Sequence, residues 1–183
     1  EEYNYWSEIF KSILNETEPP EQNGSILLPM VGLGTRFQKE GYQIAKPLIT
    51  VSSKPMAIQA LMDLPIATKQ RFVLRDDMDG VEKLKKEIKK FSKSPEFSLL
   101  SHMTDGQAST CIEGGEGLEE NKPVTIAACD NGMIYDSAKF TSLMNSYDVD
   151  VIVWGARGYP GAIRNPKMYG WVNADENGLI ENI

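Results

Sequence analysis

Short apolar runs that alternate with helical segments are the feature that most restricts how this chain can fold. Ile26–Met30, Leu48–Val51, Arg71–Leu74, Phe97–Leu100, Val124–Cys129 and Val149–Trp154 are runs of strand length. Between them lie helical segments. Pro55–Leu64 opens on a proline, favoured in a first helical turn because its missing N–H would have no partner there. Val81–Phe91 sets Val81, Leu84, Ile88 and Phe91 on one face. Strand and helix in alternation predict crossover connections, and hence a mostly parallel sheet covered on both faces. The expected fold is α/β, a Rossmann-like three-layer sandwich. With 183 residues, 41% of them hydrophobic, the chain can bury one substantial core, so one principal domain is expected.

That domain is expected over residues 25–183. Ahead of it, Tyr3, Trp6, Ile9, Phe10, Ile13 and Leu14 recur at helical spacing and predict an amphipathic helix over Tyr3–Leu14. Asn15–Gly24, with two prolines and a glycine, reads as a linker, making 1–24 an appendage. Nineteen basic residues against 26 acidic ones give a net charge of -7, which argues against a nucleic-acid partner. No apolar run approaches the roughly 20 residues of a membrane span, and the N-terminus is acidic rather than a basic signal region. No membrane partner and a cytoplasmic location are expected. Cys111 and Cys129 form neither a C-x-x-C pair nor a disulfide framework and read as buried small residues. The lysines of Val81–Phe91 read as a solvated face, because Glu82 and Lys86 stand at a supporting helical spacing.

In a parallel sheet, ligands bind at the carboxyl ends of strands, which singles out the loops after Met30 and Cys129. The first reads Gly32-Leu33-Gly34-Thr35-Arg36, with Lys46 ten residues beyond Arg36. It lacks the third glycine of a dinucleotide fingerprint, since Phe37 follows, and Val51–Lys54 offers no acid for a ribose. It also lacks the Gly-Lys-Ser/Thr of a P-loop. What the residues allow is a glycine turn whose backbone N–H groups approach an anion, supported by two cations. A plain surface turn with exposed cations is the alternative on this loop alone.

The longer string "LLPMVGLGTRFQKEGYQIAKPLITVSSKP" resembles the signature of the sugar-phosphate nucleotidylyltransferases, enzymes that join a nucleoside triphosphate to a phosphorylated sugar and release pyrophosphate. Gly32, Gly34, Thr35, Arg36, Lys46, Pro47, Leu48, Lys54 and Pro55 match the family pattern. Ala45 stands where the family has proline, and Ser53 where it has glycine. The resemblance continues through "TDGQAST" (Thr104–Thr110), similar to the base-contacting loop, and "ACDN" (Ala128–Asn131), similar to the strand end bearing a metal-binding aspartate. "MYGWV" (Met168–Val172) is similar to the segment beside the sugar.

The resemblance implies roles residue by residue. Gly32, Leu33, Gly34 and Thr35 would contact the nucleotide, Arg36 would stabilise the leaving pyrophosphate, and Lys46 would act at the α-phosphate. Asp130 would ligate Mg²⁺, a hard cation suited to carboxylate and phosphate oxygens. Gly106 and Gln107 would meet the base, and Tyr169 and Gly170 the sugar. Ser101 stands where relatives carry a base-contacting glutamine, so the base stays open. His102 reads as a polar loop residue.

Asp175-Glu176-Asn177-Gly178 predicts a turn into a hairpin whose second strand is the last segment, Leu179–Ile183. Gly155–Lys167, with Arg157, Arg164 and Lys167, reads either as a surface loop or as a cover for an anionic acceptor. The family pattern continues past this hairpin to further sugar contacts and a second metal-binding aspartate, so a longer chain is expected. The implied function is Mg²⁺-dependent nucleotidyl transfer in nucleotide-sugar and polysaccharide biosynthesis, with a nucleoside triphosphate and a sugar phosphate as partners and a homo-oligomer or fused domain as further options. A nucleotide-sensing domain is the first alternative. A glycosyltransferase of related fold is the second, although Asp130-Asn131-Gly132 lacks an Asp-x-Asp pair.

Overall fold

In the computed structural model, which describes residues 1–13, 19–146 and 148–183, the chain divides into two compact units, Pro19–Met133 and Glu1–Glu18 with Ile134–Ile183. The first holds a four-stranded, all-parallel sheet. Strands β1 (Glu21–Pro29), β4 (Ile66–Arg75), β5 (Pro95–Leu100) and β6 (Val124–Ile126) lie in the order β5-β4-β1-β6. Central strands of such a sheet are covered on both faces and therefore apolar without alternation. Ile26, Leu27 and Leu28 of β1 and Phe72, Val73 and Leu74 of β4 are all buried.

One face of the sheet, carrying Ile26, Leu28, Phe72 and Leu74, packs with Ile58 and Leu61 of α3 (Met56–Met62) and Leu84 and Ile88 of α4 (Val81–Phe91). The opposite face presents Leu27, Val31 and Val73, with Cys111 of α5 (Gln107–Gly114) and Leu118 against them. Helices thus lie on both faces, giving the three expected layers. Each fully buried side chain of this kind contributes about 1.5–3 kcal/mol. Gly114 permits the close approach of α5, because a Cβ there would sit 2.3 Å from a Val73 methyl.

Several local expectations give way to tertiary contacts. Residues 15–18 of the expected linker, and Leu14 of the expected helix, lie outside the described residues, and the remaining helix forms as α1 (Glu2–Ile13). Residues 21–24, read as linker, are the start of β1. Polar "EQNG" becomes strand because Glu21 and Gln22 pair with Ile66 and Ala67, and the buried Gln22 amide exchanges hydrogen bonds with the Thr125 hydroxyl at 3.0 and 3.1 Å. The run Leu48–Val51 is not a sheet strand. It is split between a 3₁₀ turn at Lys46–Leu48 and a small hairpin of β2 (Thr50–Val51) with β3 (Lys54–Pro55). Pro55 ends β3, so α3 begins one residue later.

In the second unit α1 packs against α7 (Pro160–Arg164), and the rings of Tyr5, Trp6, Tyr159 and Tyr169 form a connected cluster. Val149–Trp154, expected as a strand, is not one. No strand among the described residues pairs with it, Val151 is 74% exposed, and the segment is held by Trp154 stacking on Phe140 of α6 (Ser137–Met144) at 5.2 Å. The terminal hairpin forms from β7 (Asn173–Ala174) and β8 (Ile180–Asn182). No described helix is long and apolar enough to cross a membrane.

Candidate functional site

β1 stops because proline ends its ladder at Pro29, and Met30 makes a last hydrogen bond to the Val73 carbonyl at 2.8 Å. The chain then turns through Gly32 and Gly34 into the one-and-a-half-turn helix α2 (Thr35–Lys39). Gly34 is left-handed (φ 64°), and its carbonyl accepts from the backbone N–H groups of Phe37 and Gln38. A Cβ on Gly34 would lie 2.9 Å from the Cβ of Lys46, so glycine there brings the loop and the lysine into contact. Gly32 differs. Its φ is not positive, and a Cβ would meet nothing within 4 Å.

Lys46 leads the 3₁₀ turn that follows, with its ammonium 2.7 Å from Oδ2 of Asp130 and 5.6 Å from the centre of the Phe37 ring. Asp130 comes from the far side of β1, just past β6 and the buried Cys129. Both charged side chains retain partial access to solvent, at 19% and 25%. Beside them opens a cleft of about 460 Å³, a size suited to a small organic ligand. It is lined by Gly32, Gly34, Thr35, Arg36, Lys46 and Asp130 on one side and by Met103 to Gln107 on the other.

The second wall is pinned from within. The Thr104 and Thr110 hydroxyls lie 2.5 Å apart and 3.2 and 3.0 Å from the Gly106 carbonyl, so one donates to that carbonyl and the other to its neighbouring hydroxyl. Gly106, like Gly32, has no atom within 4 Å of where a Cβ would stand, and Gln107 opens α5 beside it. Two cleft glycines are therefore not required by contacts within the protein. Their lack of side chains leaves space in the cleft.

Thus the structure gathers most of the residues singled out in the sequence, although they lie far apart along the chain. Leu33 is an exception: its side chain is exposed and does not line the cleft. Tyr169 and Gly170 belong to the second unit, where Tyr169 packs edge-on to Tyr159 at 5.9 Å. His102 is a polar surface residue, 3.1 Å from Glu113 of α5. Cys129 lines the cleft, but burial pushes its thiol up to about 11, so it does not supply a thiolate near neutrality.

The cleft's charges balance: Arg36 and Lys46 face Asp105 and Asp130. Two carboxylates oppose the entry of a polyanion unless a cation accompanies it, and carboxylate with phosphate oxygen is the donor chemistry of Mg²⁺. No group of three or more His, Cys, Asp or Glu among the described residues could hold a metal by itself. Asp130 offers a single carboxylate, which the Lys46 ammonium meets at 2.7 Å, and a Mg²⁺ held there would need phosphate oxygens and water as its further ligands.

Arg75, at the end of β4, was not identified from the sequence. Its guanidinium donates to the Val31 carbonyl at 3.1 Å and lies against the Met103 sulfur. The only signal in the sequence is a charged residue closing an apolar run.

No protein-family model matches this chain, and no curated protein matches it. Among solved structures it is similar to the nucleoside-diphosphate-sugar pyrophosphorylase from Vibrio cholerae RC9, with 20% identity and a TM-score of 0.49 over 63% of this chain and 52% of that one. The chain thus spans about half the length of that protein.

Proposed function

We propose that the cleft binds a nucleoside triphosphate and that the chain belongs to a nucleotidylyltransferase, which transfers a nucleoside monophosphate to a sugar phosphate or similar acceptor. The observation that carries this is the convergence on one cleft of a glycine loop left open at Gly32, two cations and two carboxylates, opposite a second wall opened by Gly106.

In the reaction, an oxygen of the acceptor phosphate forms a bond to the α-phosphorus while the bond to the bridging oxygen breaks and pyrophosphate departs. Such a transfer needs little proton movement, so positioning and charge neutralisation dominate. The backbone of Gly32, Gly34 and Thr35 holds phosphate. Arg36, which makes no ion pair among the described residues, neutralises the leaving pyrophosphate. Lys46 turns from Asp130 toward the α-phosphate as charge develops there. Gly106 and Gln107 contact the base. Mg²⁺, when bound at Asp130, supplies charge neutralisation on the phosphates. The product is an activated nucleotide-sugar for polysaccharide synthesis, made in the cytoplasm.

A thermal-shift panel of the four nucleoside triphosphates, with and without Mg²⁺, tests binding, and pyrophosphate release with sugar phosphates tests transfer. Stabilisation by a triphosphate that strengthens with Mg²⁺, and loses that strengthening in Asp130→Asn, is expected. Binding without pyrophosphate release from any acceptor, on the longest available chain, favours a nucleotide-sensing domain. No stabilisation by any nucleotide overturns the proposal.

A further inference from the structure

The two walls of the cleft grow from different strands. The glycine loop follows β1, the Met103–Gln107 loop follows β5, and β4 lies between those strands in the sheet. Arg75 is the last residue of β4 and is only 13% exposed at its side chain. One guanidinium nitrogen, Nη1, donates to the Val31 carbonyl at 3.1 Å and lies 3.1 Å from the Met103 sulfur, while Nε pairs with Asp77. The backbone is tied at the same place, since the Asp76 N–H donates to the Leu100 carbonyl of β5 at 3.0 Å. Arg75 itself is not among the residues that line the cleft. It stands behind both walls.

A guanidinium is planar and rigid, so with Nε anchored on Asp77 the two N–H groups of Nη1 point in set directions, and the two groups they meet are held at a set separation. We infer that Arg75 is a positioning residue that sets the spacing between the glycine loop and the Met103–Gln107 loop, and so selects for a ligand that touches both. Given the nucleotide reading above, on which this rests, that ligand is a nucleoside triphosphate with phosphates on the glycine side and base on the other. A bare polyphosphate touches one wall and is indifferent to the spacing.

The test compares the wild-type chain with Arg75→Met, which keeps an apolar stem and removes every donor. Calorimetry measures affinity for the nucleoside triphosphate that the wild type binds best and for inorganic tripolyphosphate, and thermal unfolding is recorded for both proteins. Loss of charge-assisted bonds to both walls is expected to weaken the nucleoside triphosphate about tenfold or more, and tripolyphosphate by less than about twofold. Arg75→Lys replaces it should the methionine variant not fold, since one ammonium on a shorter side chain cannot keep the Asp77 pair and reach both walls as well. Unchanged nucleotide affinity overturns the inference, and so does an equal loss for both ligands that tracks a lower melting temperature. A wild-type chain that binds tripolyphosphate but no nucleoside triphosphate overturns the nucleotide reading itself, and this inference with it.

Discussion

The two glycines of the first loop have opposite structural reasons, and substituting each by alanine separates them. Gly34 sits at φ 64°, where an L side chain costs about 1–2 kcal/mol. Its added Cβ would stand 2.9 Å from the Lys46 Cβ, against an ordinary carbon contact of about 3.5–4.0 Å. One of the two segments must shift by roughly half an ångström or more, which brings the total to about 2 kcal/mol. For a chain of this size that lowers the melting temperature by roughly 4–8 °C. It also moves the stem of Lys46, so affinity for a nucleoside triphosphate falls by about tenfold. Gly32 has neither constraint, and alanine there restricts the unfolded chain, leaving stability unchanged or raised by about 0.4–1 kcal/mol. Its methyl group occupies cleft space instead, so nucleotide affinity again falls about tenfold, now without a loss of stability. Thermal unfolding and titration calorimetry on the two variants read both quantities. A Gly34→Ala protein that matches the wild type in both, or a Gly32→Ala protein with full nucleotide affinity, refutes this account of the loop.

Ser52 and Ser53 turn the β2–β3 hairpin with φ of 47° and 68°, values suited to glycine or asparagine; Ser53→Gly is expected to raise stability by about 0.5–1 kcal/mol, seen as a melting temperature roughly 1–4 °C higher with unchanged nucleotide affinity. Burial raises the Cys129 thiol from 9.0 to about 11, so the stability it contributes is full below about pH 9 and is lost as pH rises toward about 11. Denaturation midpoints across that window should fall more steeply for the wild type than for Cys129→Ala. Backbone N–H of Leu179, with further bonds from Asn177, holds the Asp175 carboxyl below its ordinary value. The hairpin gains from that carboxylate above the ordinary aspartate range and loses the gain as pH falls through the lowered value, which a carboxyl NMR titration with hairpin chemical shifts would follow.

The sequence by itself determined the class of the fold, because hydrophobic periodicity is local: Leu84 and Ile88 mark α4, and Phe72 to Leu74 mark β4, whatever surrounds them. It also singled out Gly32, Arg36, Lys46 and Asp130, since spacing and residue type are visible along a chain. It could not order the strands or decide which polar residues become strand. Gln22 is buried only because Thr125, distant in sequence, offers it a matched donor and acceptor, whereas Val149–Trp154 has strand composition and no ladder. The same limit explains Arg75. A strand's register fixes what lies at its end, and only strand order, with β4 between β1 and β5, brings one guanidinium within reach of two loops. The ion pair of Lys46 with Asp130, and the open space above Gly32, arise in the same way. Both depend on where separate connections leave the sheet, which is set by packing between elements and not by the residues within any one of them.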